Sequence, residues 1–440
     1  MANSLVATAR SLKGNPRACV YTEPLWGLSM NLCIPYASVY MLALGLRDVQ
    51  LGFITTIGVL SQVVFGLLGG IITDKLGRRR TTAVFDVIAW SVPCLIWFAA
   101  SLVHPTWAFW FFLGASVVNG TLQVTQNSWD CLMVEDAERR HITQIYSLVI
   151  VAGQMSAIFA PIAAVLVAHY SLVPAVRILY VNAFIVMTAK VIWLYLWSHE
   201  TAQGVRRMAE TKSEPVFRLL AGYVGVIRLA LRSSGTVFSL VIAILVGGVG
   251  TVTTAFWQVI VTRKLLVPEP LLPIFAMGRS LLAMTFLFTV VPRLTRAVNL
   301  KKPLLIGFAA YLLGQALVAA IPAEGSGAGA RTYALLGVCL LCDGLGMGIL
   351  AMLAESLVAL HVDPQERSRV MAVQRTVIMA VISPLGWIAG WLSSLSRSLP
   401  FVLTSAILIA GVIVTLVYYR RDRPHLGDLV GPSTPAPAAD

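Results

Sequence analysis

Few side chains in this sequence could carry out chemistry, and the most suggestive of them lie inside apolar segments. Cys339 and Cys342 have the spacing of a metal-binding or redox pair, but no histidine lies near them, so the pattern predicts two structural thiols. The run from Gly346 to Ala351 is spaced like a dinucleotide-binding fingerprint, yet no strand pattern precedes it, which favours a glycine-rich helix. None of the seven lysines follows a glycine, which excludes a Walker A loop. The sequence therefore predicts no enzyme, no metal site and no cofactor.

A better pattern is formed by four polar residues within one apolar segment. Asn119, Gln123, Gln126 and Asp130 are separated by steps of 4, 3 and 4, which places them within about 60° of one another around a helix. Polar groups in a hydrophobic segment are costly and face either an aqueous cavity or a neighbouring helix. Both alternatives remain open for these residues.

The composition identifies the elements that must position such residues. Of the 440 residues, 58% are hydrophobic and only 12% are charged, too few to cover a globular surface. The mean hydropathy is +0.80, and the apolar residues occur in blocks of about twenty, the length of a bilayer-spanning helix. The sequence predicts an all-α membrane protein with twelve transmembrane helices. The predicted segments are 25–46, 51–73, 81–103, 107–133, 143–169, 176–198, 234–262, 271–292, 303–322, 331–360, 369–393 and 398–419.

These segments divide the chain into two groups of six. We predict a cytoplasmic N-terminal segment (1–24), a six-helix bundle (25–198), a central loop with a surface helix over 214–232 (199–233), a second six-helix bundle (234–420) and a disordered tail (421–440). A faint repeat aligns 127–139 with 355–367 and supports duplicated halves, an architecture that places a substrate site between the bundles.

The basic residues predict the orientation. Of the 33 lysines and arginines, 24 lie in the tails and loops of one face and six lie on the other. The positive-inside rule then places both termini in the cytoplasm, in a multi-pass protein of the plasma membrane. Since the basic excess sits in short loops, we predict a lipid bilayer and no nucleic acid as its partner.

The loop after the second segment reads Gly70-Ile-Ile-Thr-Asp74-Lys75-Leu-Gly77-Arg78-Arg79-Arg80. It resembles the signature loop of the major facilitator superfamily, position for position. The resemblance implies secondary transport by alternating access of two pseudo-symmetric six-helix bundles. It also implies a cytoplasmic gate built from Gly70, Asp74, Gly77 and Arg78, with Arg78 paired with Asp130. Ser116 stands where proton-linked drug antiporters of the family carry an arginine, and the subfamily is not assigned.

In the resembled fold the first and fourth helices of each half line the cavity. Asn119 and Gln123 on segment four are therefore substrate-cavity candidates. Segments one and seven offer further polar residues for the same role, namely Asn31, Tyr36, Ser38, Thr254 and Gln258. For these residues, packing against neighbouring helices is the alternative.

Charged residues within the segments can be paired by depth. Asp86 and Lys190 lie on helices that are neighbours in the resembled fold, and we predict a structural ion pair. Asp343 is the only acid near the middle of a segment, and Arg279 lies at a similar depth. Either the two form a permanent pair, or Asp343 faces the cavity and exchanges a proton or a cationic substrate. Asp343 and Arg279 are the coupling candidates.

These observations predict a secondary active transporter for a small organic solute, monomeric and coupled to protons. Export is favoured over import, because an intact first-half loop with a degenerate second copy is typical of drug exporters. The alternative is a non-transporting membrane sensor or partner subunit on the same scaffold.

Overall fold

The computed structural model describes residues 8–138, 141–212, 234–289, 300–323, 327–361 and 367–421, and within them the secondary structure is helical with no strand. We number twelve helices and treat short breaks as interruptions of one helix. Their bounds are α1 (Gly14–Cys33, the 3-10 turn Ile34–Tyr36 and Ala37–Ala43), α2 (Asp48–Leu76), α3 (Arg78–Asp86, the π turn Val87–Ser91 and Val92–Ala100), α4 (Pro105–Asn119 and Leu122–Val134), α5 (Ile142–Met155, Ser156–Phe159 and Ala160–Tyr170), α6 (Leu172–Trp197), α7 (Ser234–Arg263), α8 (Leu272–Thr289), α9 (Lys301–Ala320), α10 (Ala330–His361), α11 (Arg367–Ile382 and Pro384–Leu395) and α12 (Leu399–Arg421). A further helix, the linker helix, spans Ala202–Thr211 between α6 and α7.

Each predicted segment coincides with one of these helices, which confirms the all-α membrane class. Within the described residues, nine helices are long and apolar enough to cross a bilayer, and α1, α4 and α8 are not among them. The largest difference is the start of α1 at Gly14 instead of residue 25, because the first turns are too polar for hydropathy to detect. The predicted surface helix 214–232 lies outside the described residues, as do all but the first residue of the predicted disordered tail.

The break in α4 corrects the predicted polar face. The helix stops at Asn119 and resumes at Leu122, so the four polar residues do not share one continuous helix. Ser61 of α2 packs against the break, where a Cβ on Gly120 would lie 2.6 Å from the Ser61 Cβ. Glycine is needed there because the two backbones approach closely.

The apolar cores show how the two halves meet. One buried cluster, the joint core, contains residues of both bundles and lies at the end of the molecule where α2 begins, with Leu51, Val261 and Phe401 among its members. At the opposite end, α7, α9, α10 and α12 form one separate cluster, and α1, α4 and α6 contribute to another. The bundles are thus joined at the predicted outer end, while their inner ends have independent cores.

Glycines bring α2 and α11 together at the joined end. A Cβ on Gly390 would lie 2.6 Å from the Asp48 carbonyl oxygen and 2.9 Å from the Gly52 Cα. Arg397, just beyond α11, forms an ion pair with Asp48 at the start of α2. Thr56 of α2 also donates a hydrogen bond to the Ser383 carbonyl at 2.8 Å. These contacts link the two bundles directly.

A candidate substrate cavity between the bundles

A cavity of about 580 Å³ lies between the two bundles. Helices α1, α2, α3, α4 and α6 form one wall, and α7 and α11 form the other. Of the predicted cavity residues, Ser38, Asn119 and Thr254 line it. The remaining wall is aromatic or aliphatic with a few hydroxyl and amide groups, and none of its described lining residues is charged.

The other predicted cavity residues lie elsewhere. Asn31 donates a hydrogen bond to the Gly153 carbonyl at 3.2 Å and links α1 to α5. Tyr36 is fully buried in the joint core. Gln258 is not among the lining residues, and its Oε1 is buried without a hydrogen-bond partner among the described residues. Gln123 reaches the cavity only indirectly, because its Nε2 lies 3.4 Å from the Oε1 of Gln62, which does line it.

Asn119 combines the two roles that the sequence left open. It lines the cavity, and its Nδ2 donates a 2.7 Å hydrogen bond to the Ala89 carbonyl in the π turn of α3. A π turn disrupts the regular ladder of helical hydrogen bonds, so an external donor is favourable there. No sequence pattern predicted the π turn.

Sequence reasoning missed several residues of the cavity wall. Gln62, Trp90, Trp97 and Tyr180 all line it. Gln62 is a polar residue within an apolar segment and meets the criterion that selected Asn119. The aromatic residues carry no comparable signal, because a tryptophan in a membrane helix is as compatible with lipid as with a cavity.

Asp343 does not reach this cavity and does not contact Arg279. Its side chain is 1% exposed and accepts hydrogen bonds from the Gln315 Nε2 at 3.0 and 3.2 Å. The Oε1 of Gln315 in turn accepts from Thr253 and Thr404, which closes a polar network within the C-terminal bundle. No lysine or arginine of the described segments lies within 4.0 Å of the Asp343 carboxylate. The permanent pair with Arg279, one of the two alternatives left open by the sequence, is not formed in this structure, where Asp343 is hydrogen-bonded to Gln315 instead.

The signature loop contains a network of charged residues. Arg78 pairs with Asp74 and with Glu135, both at 3.0 Å. Asp130 instead accepts hydrogen bonds from Gln126 at 3.2 Å. The predicted contact between Arg78 and Asp130 is not formed in this conformation, because Glu135, five residues later in the chain, pairs with the Arg78 guanidinium instead.

The linker helix holds the same loop from the other side. The Glu200 carboxylate accepts hydrogen bonds from the backbone nitrogens of Arg78 and Arg79, where the helix N-terminus favours a negative charge. Asp74 pairs with Arg207 of the linker helix at 2.9 Å, and this hydrogen bond raises the pKa of Arg207. Gly77 has a φ of +85°, and a Cβ there would lie 2.5 Å from the Glu200 Oε2. Glycine is therefore required at the centre of the loop.

Comparison with known proteins decides the family. The model of the Major Facilitator Superfamily matches residues 25–321, more than half of the chain. The chain belongs to the Major Facilitator Superfamily. It is accordingly a multi-pass integral membrane protein with a secondary transporter fold, and not an enzyme.

Solved structures of other transporters share the superfamily fold. A mutant of the nucleoside transporter NupG superposes with a TM-score of 0.71 at 14% identity, covering 92% of this chain and 100% of that one. A POT family transporter in complex with 5-aminolevulinic acid gives 0.68 at 11% identity, covering 94% and 99%. The peptide transporter POT in complex with sulfate gives 0.67 at 13% identity, covering 97% and 99%. A search of curated proteins gave no match.

An ion pair is buried within the N-terminal half of this superfamily member. The Lys190 Nζ donates to the Asp86 Oδ2 at 2.7 Å, and the two side chains are 5% and 1% exposed. The pair joins α3 to α6 and confirms the contact predicted from depth.

Replacing Glu135 by glutamine tests the loop network. We expect Glu135→Gln to lower the free energy of unfolding by about 2 kcal/mol, because the buried Arg78 guanidinium loses a charged acceptor. Asp136→Asn is the matched control one residue along, where the nearest hydrogen bond is 3.4 Å long. Thermal melting of the purified variants measures both. Equal melting temperatures would show that the Arg78–Glu135 contact contributes nothing to stability.

Proposed function

We propose that this chain transports a small uncharged organic solute with a planar ring and several hydrogen-bonding groups. The observation that carries the proposal is the lining of the central cavity. Trp90, Trp97 and Tyr180 offer aromatic faces, Asn119 and Thr254 offer polar groups, and no charged side chain of the described residues accompanies them. A charged solute would leave water without a counter-ion in such a site. Nucleosides have the required chemistry, and the likeness to NupG gives them priority in a substrate screen.

In this proposal the two bundles expose the cavity alternately to the two faces of the membrane. The joint core and the α2–α11 contact close the predicted outer face, and the inner ends have separate cores, which supports an inward-facing state. We place the protein in the plasma membrane as a monomer with cytoplasmic termini, as an exporter. Proton coupling is assigned to Asp343, since an ionised carboxylate without a contacting cation is costly within a membrane and binding a proton removes that cost.

Flux into proteoliposomes tests the proposal, with substrates first selected by thermal stabilisation of the purified protein. We expect Thr254→Trp to abolish both the stabilisation and the flux, because the indole fills the space between the bundles. Ile413→Trp is the matched control, since Ile413 is 55% exposed on the outer surface of α12. Retained flux in Thr254→Trp would place the substrate elsewhere.

Two further outcomes separate the alternatives. A solute that stabilises the wild-type chain but never crosses the vesicle membrane would favour the non-transporting sensor or partner subunit. Accumulation that does not respond to an imposed pH gradient would contradict proton coupling while leaving the cavity assignment intact.

A further inference from the structure

A second cavity, of about 190 Å³, lies inside the N-terminal bundle where α1, α3, α4, α5 and α6 meet. Its wall contains Glu23, Asp86 and Lys190 together with Trp26, Trp90 and Trp129. Trp90 belongs to the walls of both this cavity and the central one. The charged cavity thus adjoins the uncharged one and differs from it in chemistry.

The charges of this cavity do not balance. The described residues of its wall supply two carboxylates and a single ammonium, and the Lys190 Nζ is hydrogen-bonded to the Asp86 Oδ2 at 2.7 Å. Glu23 faces the cavity without a hydrogen bond or ion pair to any described residue. With all three groups ionised the site carries one net negative charge, and one monovalent cation would neutralise it.

Three buried polar atoms of the wall are also unsatisfied. The Asp86 Oδ1, the Thr125 Oγ1 and the Trp129 Nε1 have no hydrogen-bond partner among the described residues, and their side chains are at most 8% exposed. Buried polar groups are normally hydrogen-bonded, so such a cluster marks missing contacts. An acceptor, a hydroxyl and an N–H donor together suit a ligand that has both donors and an acceptor oxygen.

The tryptophans indicate what kind of cation fits. The rings of Trp26 and Trp90 meet edge to face with centroids 5.8 Å apart, and Trp129 completes the aromatic part of the wall. Aromatic faces attract organic ammonium groups through cation–π interactions. We propose that this cavity binds a small monovalent organic ammonium bearing a hydroxyl group, with Glu23 as its counter-ion.

Calorimetric titration of the purified full-length chain with choline tests the proposal. We expect saturable binding, weakened about 30-fold in Glu23→Gln because the cation loses its counter-ion. The matched control Glu269→Gln removes a carboxylate outside this cavity and should bind as the wild type does. The uncharged isostere 3,3-dimethylbutan-1-ol should not bind. Trp90→Phe should weaken choline binding about five-fold, since phenylalanine offers a poorer face.

Several results would overturn it. Equal binding of choline and its uncharged isostere would remove the charge requirement, and unchanged affinity in Glu23→Gln would remove the counter-ion. Proton uptake at Glu23 with no choline binding would make this a protonation site only. Choline binding must also survive Thr254→Trp; its loss would place choline in the central cavity, a result distinct from any failure of the transport proposal.

Discussion

Replacing Gly390 by leucine should reduce transport by about 100-fold while leaving the protein folded. Gly390 lies against the backbone of α2, where a Cβ would already be 2.6 Å from the Asp48 carbonyl oxygen. Forcing a larger side chain into a close-packed contact costs about 3 kcal/mol, and that energy reduces the population of the closed outer face about 100-fold. Each inner end keeps its own apolar core, so folding should survive. Flux in proteoliposomes and the melting temperature measure the two effects.

Gly337→Leu is the matched control for this substitution. Gly337 also lies within a helix, but a Cβ there meets no atom within 4 Å. Its flux should resemble that of the wild type. Normal transport by Gly390→Leu would mean that α2 and α11 need not approach this closely at any stage of the cycle.

Neutralising either member of the Asp86–Lys190 pair should destabilise the protein strongly. Both side chains are at most 5% exposed, so removing one partner leaves an uncompensated buried charge and costs about 3–5 kcal/mol. Combining Asp86→Asn with Lys190→Met should recover much of the loss, because neither charge then remains. Melting temperatures of the two single variants and the double variant, measured without added ligand, give the coupling.

The exposed pair Arg206–Glu210 provides the comparison. Its nitrogen–oxygen distance is 3.0 Å, against 2.7 Å in the buried pair, and its side chains are 77% and 44% exposed. Glu210→Gln with Arg206→Met should therefore leave the melting temperature unchanged. Strictly additive losses in the Asp86 and Lys190 variants would rule out a structural role for the pair.

Hydropathy and charge identified the helices well because burial in lipid is a property of whole segments. The limits of α2 and α12 deviate from the predicted ones by only a few residues. The family also followed from a local motif, since the loop from Gly70 to Arg80 needs specific residue types for its turn and its charges.

The site was predicted less completely, because cavity walls depend on which helix faces meet. Ser38, Asn119 and Thr254 line the central cavity, whereas Asn31 and Tyr36 pack against protein. Composition cannot separate these cases when all five residues occur in similar apolar surroundings. Depth predicted the partner of Lys190 correctly. The family resemblance implied Asp130 as the partner of Arg78, but Glu135, five residues later in the chain, takes that place.

The π turn of α3 has a consequence for how such a protein diversifies. A π turn corresponds to one extra residue accommodated within an otherwise α-helical segment. Because Trp90 lies within that turn, the wall shared by the two cavities depends on chain length as well as on residue type. Losing a single codon between Val87 and Ser91 would rotate the following side chains by about 100° and change the walls of both cavities at once. Insertions and deletions, which are usually tolerated only in loops, are therefore a route to new specificity within this helix.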